Sequence, residues 1–509
     1  MGCIACPRRP RPAGLHQTRV REQVLEQPEI TSRGGASAPT ATPVGATWRD
    51  PFRGGLALFT IMLNVGIGLH ALDVFIISTV MPRIVRELGG AEYYTWATML
   101  YMVASIIGTA AGNPVRQMLG SRLGYAIAAL VFAAGSIGCA ISPTMALLLV
   151  ARTVQGLGGG TMIALSMGLV SELFPQHVRK RVLALVSGTW GVASLLGPAI
   201  GGLFAEYGSW RGAFWINVPI VLFFVFACTK LPGKKPGSGT PKFPYVQLAL
   251  MTAGVVAVAL AGQVGYTAAQ VAMLVGAGAA VALAMRLDHA SEARMFPSHP
   301  LSLNRPIGTA NWIFALSSIT HSVIGAYLPL SMQILHGVSD QAAGYAVTAL
   351  AFSWTVASMV TSHIHGRAAM RSIIIGQALC VIGLGGMALA IADLPFGVIV
   401  ALNMVVGFGL GSSNLHLTEA TMRHAPKGEQ TTTAGAIPTL RSLGIAFGSA
   451  GAGVIANHAG LTDTLAYADV QRATQWVLTI GTLAPLFALI LGTSYVRMIS
   501  AKMTMAPAD

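Results

Sequence analysis

A chain of 509 residues that is 53% hydrophobic and only 10% charged differs sharply from a soluble protein, in which about a quarter of residues carry charge. Its formal net charge of +14 needs no nucleic-acid partner, because the basic residues lie between long apolar runs, where they signal topology and attract anionic lipid.

Windows of roughly 20 apolar residues predict fourteen membrane-spanning helices, near residues 55–81, 94–113, 122–142, 144–171, 182–204, 212–231, 245–264, 268–287, 307–331, 341–362, 371–392, 395–420, 431–457 and 474–497. The fold class is therefore all-α, polytopic and membrane-embedded, with both termini on one side. The 32 Lys and Arg residues choose the side. With the N-terminus inside, 26 fall in inner segments, four in outer loops (Arg83, Arg86, Arg211, Arg472) and two, Arg152 and Arg441, within helices. That bias predicts both termini in the cytoplasm.

Residues 1–54 precede the first helix. Their Pro, Arg, Thr and Ala without periodicity predict a disordered cytoplasmic tail, although an overlong start would read the same way. No cleavable signal peptide is expected, since the first apolar run begins after residue 54. MGCIAC lacks the Ser or Thr that myristoylation wants at position 6. Cys3 and Cys6 lie in this tail, while Cys139, Cys228 and Cys380 fall within predicted helices, so the cysteines give no disulfide framework and no metal site.

Residues 55–231 form a first six-helix bundle, closed by the basic stretch LPGKKPGSGTPKFP, a cytoplasmic linker over 232–244. The two helices in 245–287 are short, rich in Ala, Gly and Val and nearly free of polar groups apart from Gln263 and Gln270, which marks them as inserted. A cytoplasmic loop (288–306), a second six-helix bundle (307–497) and a cytoplasmic tail (498–509) complete the chain. An internal repeat supports this division: at an offset of 247 residues, Pro82 meets Pro329, Glu172 meets Glu419, Gly197 meets Gly444 and Gly201 meets Gly448. The proline pair is read as ending the first and ninth helices.

Asp73 is the one carboxylate placed well inside a predicted helix, where an uncompensated charge is costly and must be protonated, paired or hydrated. Arg152, in ARTVQGLGGG, sits at a similar depth and is its expected partner; a fixed structural ion pair is the alternative reading. His70 shares a helix face with Asp73, and Gln155 with Arg152, at i,i+3 spacing. His321 lies mid-helix in the ninth segment, where an imidazole could titrate or bind substrate. The twelfth helix carries Asn403, Gly407, Gly411 and Asn414 along one face, with His416 and Glu419 nearer its inner end. In GTWGVASLLGPAIGG, Gly188, Gly191, Gly197, Gly201 and Gly202 would admit a neighbouring helix closely, and Pro198 favours a kink.

These segments, together with ALDVFIISTVMPRI, WRGAFWINVP, YLPLSMQILHGVSDQAAG and LRSLGIAFG, resemble the major facilitator superfamily, and within it the fourteen-helix drug:proton antiporter group. The likeness covers about residues 55–500. It implies two six-helix bundles plus two inserted helices, with the cavity lined by the first and fourth helices. It also implies proton-coupled efflux of amphiphilic small molecules by alternating access across a bacterial inner membrane. Proton coupling would fall to Asp73, Arg152 and His70, and the substrate cavity to Gln155, His321, Asn403, Asn414, His416 and Glu419. The helix 5 antiporter motif would be Gly188, Gly191, Gly197, Pro198, Gly201 and Gly202. The inner-gate loop NPVRQMLGSRLG departs from the family pattern: Gly120 and Arg122 fit, but Gln117 stands where an acid is expected.

The expected partners are a small-molecule substrate, protons and membrane lipids, with function as a monomer and no cofactor beyond the proton gradient. An exporter dedicated to a metabolite, lipid or siderophore is the alternative within transport. A sensor or scaffold would ordinarily add a soluble output domain, and no HExxH, GxSxG or GxxxxGK[ST] pattern points to an enzyme.

Overall fold

The computed structural model describes Gly2 and residues 49–505, apart from 208, 232, 234–242, 262–263, 265–266, 292–293, 427–428 and 462–464. Most of the expected tail and linker, Gln263 and the Glu172 side chain thus lie outside the described residues. Regular structure among the described residues is helical throughout. In chain order it comprises α1 (Leu56–Leu88), α2 (Trp96–Ile141), α3 (Met145–Leu173), α4 (Gln176–Tyr207), α5 (Gly212–Trp215), α6 (Asn217–Cys228), α7 (Tyr245–Ala261) and α8 (Thr267–Ala290). There follow α9 (Pro306–Leu335), α10 (Asp340–Thr361), α11 (Gly366–Ala390), α12 (Phe396–Arg423), α13 (Gln430–His458), α14 (Tyr467–Gly481) and α15 (Leu483–Met505). Eleven stretches are long and apolar enough to cross a membrane; Gly188–Phe204, Gly212–Cys228 and Tyr245–Ala261 are shorter apolar helices.

Several boundaries differ from the sequence reading, each for a local reason. The expected inner-gate turn is present: α2 holds two separate membrane-crossing stretches, Ala91–Gly112 and Pro114–Ile141, and is interrupted at Gly120, whose non-helical φ of 76° and ψ of 170° suit a residue without a Cβ. Gln117 and Arg122 project from this corner, whereas Gly120 is buried. The sixth and fourteenth predicted helices each contain a local hydrogen-bond break, at Ile216 and Thr482, whose dihedrals stay helical, and each remains one apolar stretch. Pro219 and Pro485 account for both breaks, because a proline ring crowds the carbonyl four residues earlier and offers no N–H. Pro82 and Pro329 do not end their helices but lie inside α1 and α9.

Glycines set the helix spacing. A Cβ at Gly156 would lie 2.2 Å from the Tyr101 carbonyl oxygen and one at Gly160 2.0 Å from that of Ser105, so α3 lies directly on α2. In the second half the same i,i+4 device seats α12 on α10, with Gly407 2.2 Å from Leu350 O and Gly411 2.3 Å from Trp354 O. Gly197 and Gly201 fit α4 against Phe75 and Ile76 of α1, while Gly444 and Gly448 fit α13 against Ala315 and Ile319 of α9. The glycines matched at the 247-residue offset therefore do equivalent work in the two halves.

The halves meet around the end where α1 finishes. Arg86 pairs with Asp340 at 3.4 Å, Tyr94 stacks on Tyr327 with centroids 5.5 Å apart, and the Asn457 amide donates to Glu92 O at 3.1 Å. Along the same seam, a Cβ at Gly202 would fall 2.6 Å from Gln341 Cα and one at Gly344 2.9 Å from Pro198 Cβ, and the Thr348 hydroxyl donates to Ser194 O at 2.8 Å. Toward the other end α4 and α10 part: a Cβ at Gly191 would meet only the Thr355 hydroxyl at 3.8 Å, and one at Gly188 nothing within 4 Å. On the opposite flank α2 and α13 touch directly and α7 lies against both, with Leu248, Met251 and Val255 near Val103, Ile106 and Leu443.

Candidate transport site

Apolar helices leave few places for polar groups, so the ones present are informative when they converge. Asp73 of α1 and Arg152 of α3 form an ion pair, with their side chains 1% and 0% exposed. Gln155, one turn along α3, braces both: its Nε2 donates to Asp73 Oδ1 at 2.7 Å and its Oε1 accepts from Arg152 at 2.6 Å. The carboxylate thus has a separate donor on each oxygen, which a buried charge requires. Gln155 also donates to the Ser136 hydroxyl at 2.8 Å, as does Asn217 at 3.3 Å, extending the network to α2 and α6.

His70 joins through an aromatic intermediary. The Arg152 guanidinium lies 4.1 Å from the centroid of the Tyr101 ring, a cation–π contact, and the Tyr101 hydroxyl is 2.8 Å from His70 Nδ1. Gly159 makes room, since a Cβ there would sit 2.7 Å from that same nitrogen. Tyr101, Ser136 and Asn217 were absent from the sequence reading. Tyr101 gave a faint signal, as an aromatic with a polar tip at mid-helix, whereas the hydroxyl and the amide gave none.

The residues assigned to a substrate cavity do not form one group. Gln155 belongs to the ion-pair network. Asn403 is fully buried and donates to Ala346 O at 2.7 Å, because the glycine contacts bring α12 against α10 on that face; it ties two helices rather than lining a cavity. His321 is half-buried, edge-on to Trp354 at 6.2 Å. Asn414 accepts from Arg441 at 3.0 Å. His416 and Glu419 lie apart, in a cavity of about 110 Å³ lined also by His365, Arg423, His424 and Ile499 near one end of α12. Glu419 bonds Arg423 at 2.5 Å, so its charge is spent on its own helix. No group of three or more metal-ligating side chains occurs among the described residues.

The Major Facilitator Superfamily profile matches residues 63–449, a span that contains the whole ion-pair network. The chain belongs to that superfamily. It is 31% identical over 439 residues to a Mycobacterium tuberculosis protein described as a probable multidrug-efflux transporter, covering 82% of this chain and 91% of that relative. It is 28% identical to the multidrug transporter protein MdtP of Bacillus subtilis, over 79% of this chain and 76% of that one. The fold resembles a peptide transporter solved with sulfate (TM-score 0.61, 14% identity, 86% of this chain and 95% of that one) and a D-xylose–proton symporter (TM-score 0.59, 17% identity, 86% and 97%). The protein is a multi-pass membrane transporter of this superfamily and not an enzyme.

Proposed function

We propose that this transporter exports amphiphilic small molecules in exchange for protons, as a fourteen-pass member of the drug:proton antiporter group in a bacterial inner membrane, with both termini cytoplasmic. The observation that carries the reading is the sealed Asp73–Arg152–Gln155 network between α1 and α3. A carboxylate held against a cation at membrane depth can exchange its partner for a proton when the helices around it move. The relatives described as multidrug transporters support the direction and the substrate class. Three shorter apolar helices beside the eleven long ones support fourteen passes.

The seam supports a reading of the resting state. The Arg86–Asp340 pair, the Tyr94–Tyr327 stack and the tight α4–α10 contacts gather at the end predicted to be outer, whereas α4 and α10 separate toward the inner end. This arrangement supports an inward-facing state. Purified protein in liposomes, given an imposed pH gradient and an amphiphilic fluorescent substrate, tests the proposal: export should depend on the gradient and stop in Asp73→Asn. Gradient-independent movement, or full export by Asp73→Asn, would overturn it.

A further inference from the structure

Arg152 and Arg441 both lie inside membrane-spanning helices, and their partners differ. Arg152 has a carboxylate, an amide and an aromatic face. Arg441, within α13, has no carboxylate partner among the described residues. Its hydrogen bond is donated from one terminal nitrogen to Asn414 Oδ1, a neutral acceptor, at 3.0 Å; its Nε is buried with no partner; and its guanidinium carbon lies 5.5 Å from the Phe314 ring centroid. A guanidinium carries five N–H donors, and leaving such a cation unmatched in a low-dielectric setting is costly.

The helices that meet here cannot supply the missing anion. Neither α9 nor α13 contains an acidic residue, and the sole one on α12, Glu419, is engaged by Arg423. The arginine is nonetheless firmly placed. Three residues on, a Cβ at Gly444 would lie 2.5 Å from Ala315 O, so α13 is fitted closely to the part of α9 that presents Phe314. Asn414 is fixed in turn by its own amide, which donates to Leu410 O at 3.0 Å. A positioned cation with free donors, a polar neighbour and an aromatic wall is the chemistry that receives an anion attached to an apolar body.

We propose that Arg441 and Asn414 form a subsite for the anionic head, a carboxylate, sulfonate or phosphate, of an amphiphilic ligand. This rests on the efflux reading for its physiological meaning, since it names the charge of part of the exported class. The subsite is distinct from the ion-pair network, whose arginine already has a carboxylate partner.

The test uses two dansyl-labelled decyl probes that differ only in the head, one a sulfonate and one a trimethylammonium. Fluorescence titration of the purified full-length protein in neutral detergent gives both affinities. In Arg441→Gln the ratio of sulfonate to ammonium affinity should fall at least about tenfold, or roughly 1.4 kcal/mol, and in Arg441→Lys much less, because the lysine keeps the charge. On the wild type, unlabelled decyl sulfonate should displace the sulfonate probe far better than decyl trimethylammonium does, which needs no variant to fold. An unchanged ratio in Arg441→Gln, or a wild type that does not bind the sulfonate probe, would overturn the subsite. Phosphatidylglycerol added to the same titration tells the sources apart: displacement of the probe assigns the subsite to lipid phosphate as well as to solutes, and no displacement restricts it to solutes. Export is scored separately in liposomes. If the protein binds the sulfonate probe but does not export it under a pH gradient, the subsite stands and the efflux reading fails.

Discussion

Asp73 and Arg152, 79 positions apart in the chain, form an ion pair that neither side chain shares with solvent. Removing one partner strands the other charge, which costs about 3–5 kcal/mol in comparable buried pairs. Arg152→Ala should therefore lower the thermal unfolding temperature markedly, and Asp73→Asn combined with Arg152→Gln should recover most of the loss, since Gln155 can still bridge two neutral amides. A double-mutant cycle on purified protein checks this. Simple additivity of the two single changes would mean that the pair contributes no coupling.

The α4 glycines separate into three environments that predict different outcomes. A side chain at Gly202 would collide with the Gln341 backbone in the other half, one at Gly201 would press on Ile76 and Thr79 of α1, and one at Gly188 would meet nothing within 4 Å. Leucine at 202 should block closure of the seam and reduce export by an order of magnitude or more, on the order of 1–3 kcal/mol of overpacking. Leucine at 201 should impair folding and export together. Leucine at 188 should be tolerated in the inward-facing state. Expression level and transport rate, measured side by side for the three variants, distinguish these effects.

Arg86 and Asp340 make a partly exposed pair across the halves, 3.4 Å apart, while Gln117 stands at the α2 corner, where relatives of this type are expected to carry an acid. Exposed pairs contribute about 0.2–1 kcal/mol, so each change should move a two-state population only severalfold. Arg86→Gln should shift the protein away from the closed outer seam. Gln117→Asp should shift it toward outward-open by restoring the inner latch. Spin-label distances across both ends would register either movement, and identical distributions in wild type and Gln117→Asp would remove the α2 corner from the gate.

How much of this could be read from the chain depends on the kind of residue. Asp73 and Arg152 stand out because charge inside an apolar run is rare and must be compensated, and similar depth suggested that they were partners. Ser136 was hidden because a serine hydroxyl in a helix can bond its own backbone, and Tyr101 gave only a faint signal, so tertiary convergence is what reveals their roles. Hydropathy averages located the turn at Gly120 between two spans, but they could not show the local hydrogen-bond breaks that Pro219 and Pro485 make within single stretches. Asn403 misled for a different reason. Its face of α12 could serve either close packing or water, and in the fold its amide is spent on Ala346 of α10.

Outside the membrane-spanning segments, Glu429 at the start of α13 fastens the segment leading into α9. Ser298 donates to it through both its hydroxyl and its backbone N–H, the latter at 2.9 Å, and Arg294 lies 3.5 Å away. The Ser298 hydroxyl bond is the main reason its carboxyl is held below the usual range, with the backbone bond and the Arg294 charge adding to it. A depressed value in the folded state means that the stabilisation is fully present above the unfolded value of about 4.3 and is lost as pH falls through the folded one. Glu429→Gln should lower thermal stability equally between about pH 5 and pH 8, with the deficit shrinking below about pH 4. A deficit that persists undiminished at low pH would show that the carboxylate charge is not what holds the segment.

The placement of α7 has a consequence for how a lipid-dissolved molecule could reach the interior. Two flanks separate the halves, and internal symmetry alone would make them equal doorways. On one, α2 and α13 touch directly and α7 lies over their contact, adding an apolar layer of Leu248, Met251 and Val255. On the other, α4 and α10 diverge beyond Gly191 with no third helix between them. The hairpin of α7 and α8 therefore makes the two flanks unequal: one carries an added apolar layer, whereas at Gly188 and Gly191 the other leaves open space or only a loose contact with Thr355.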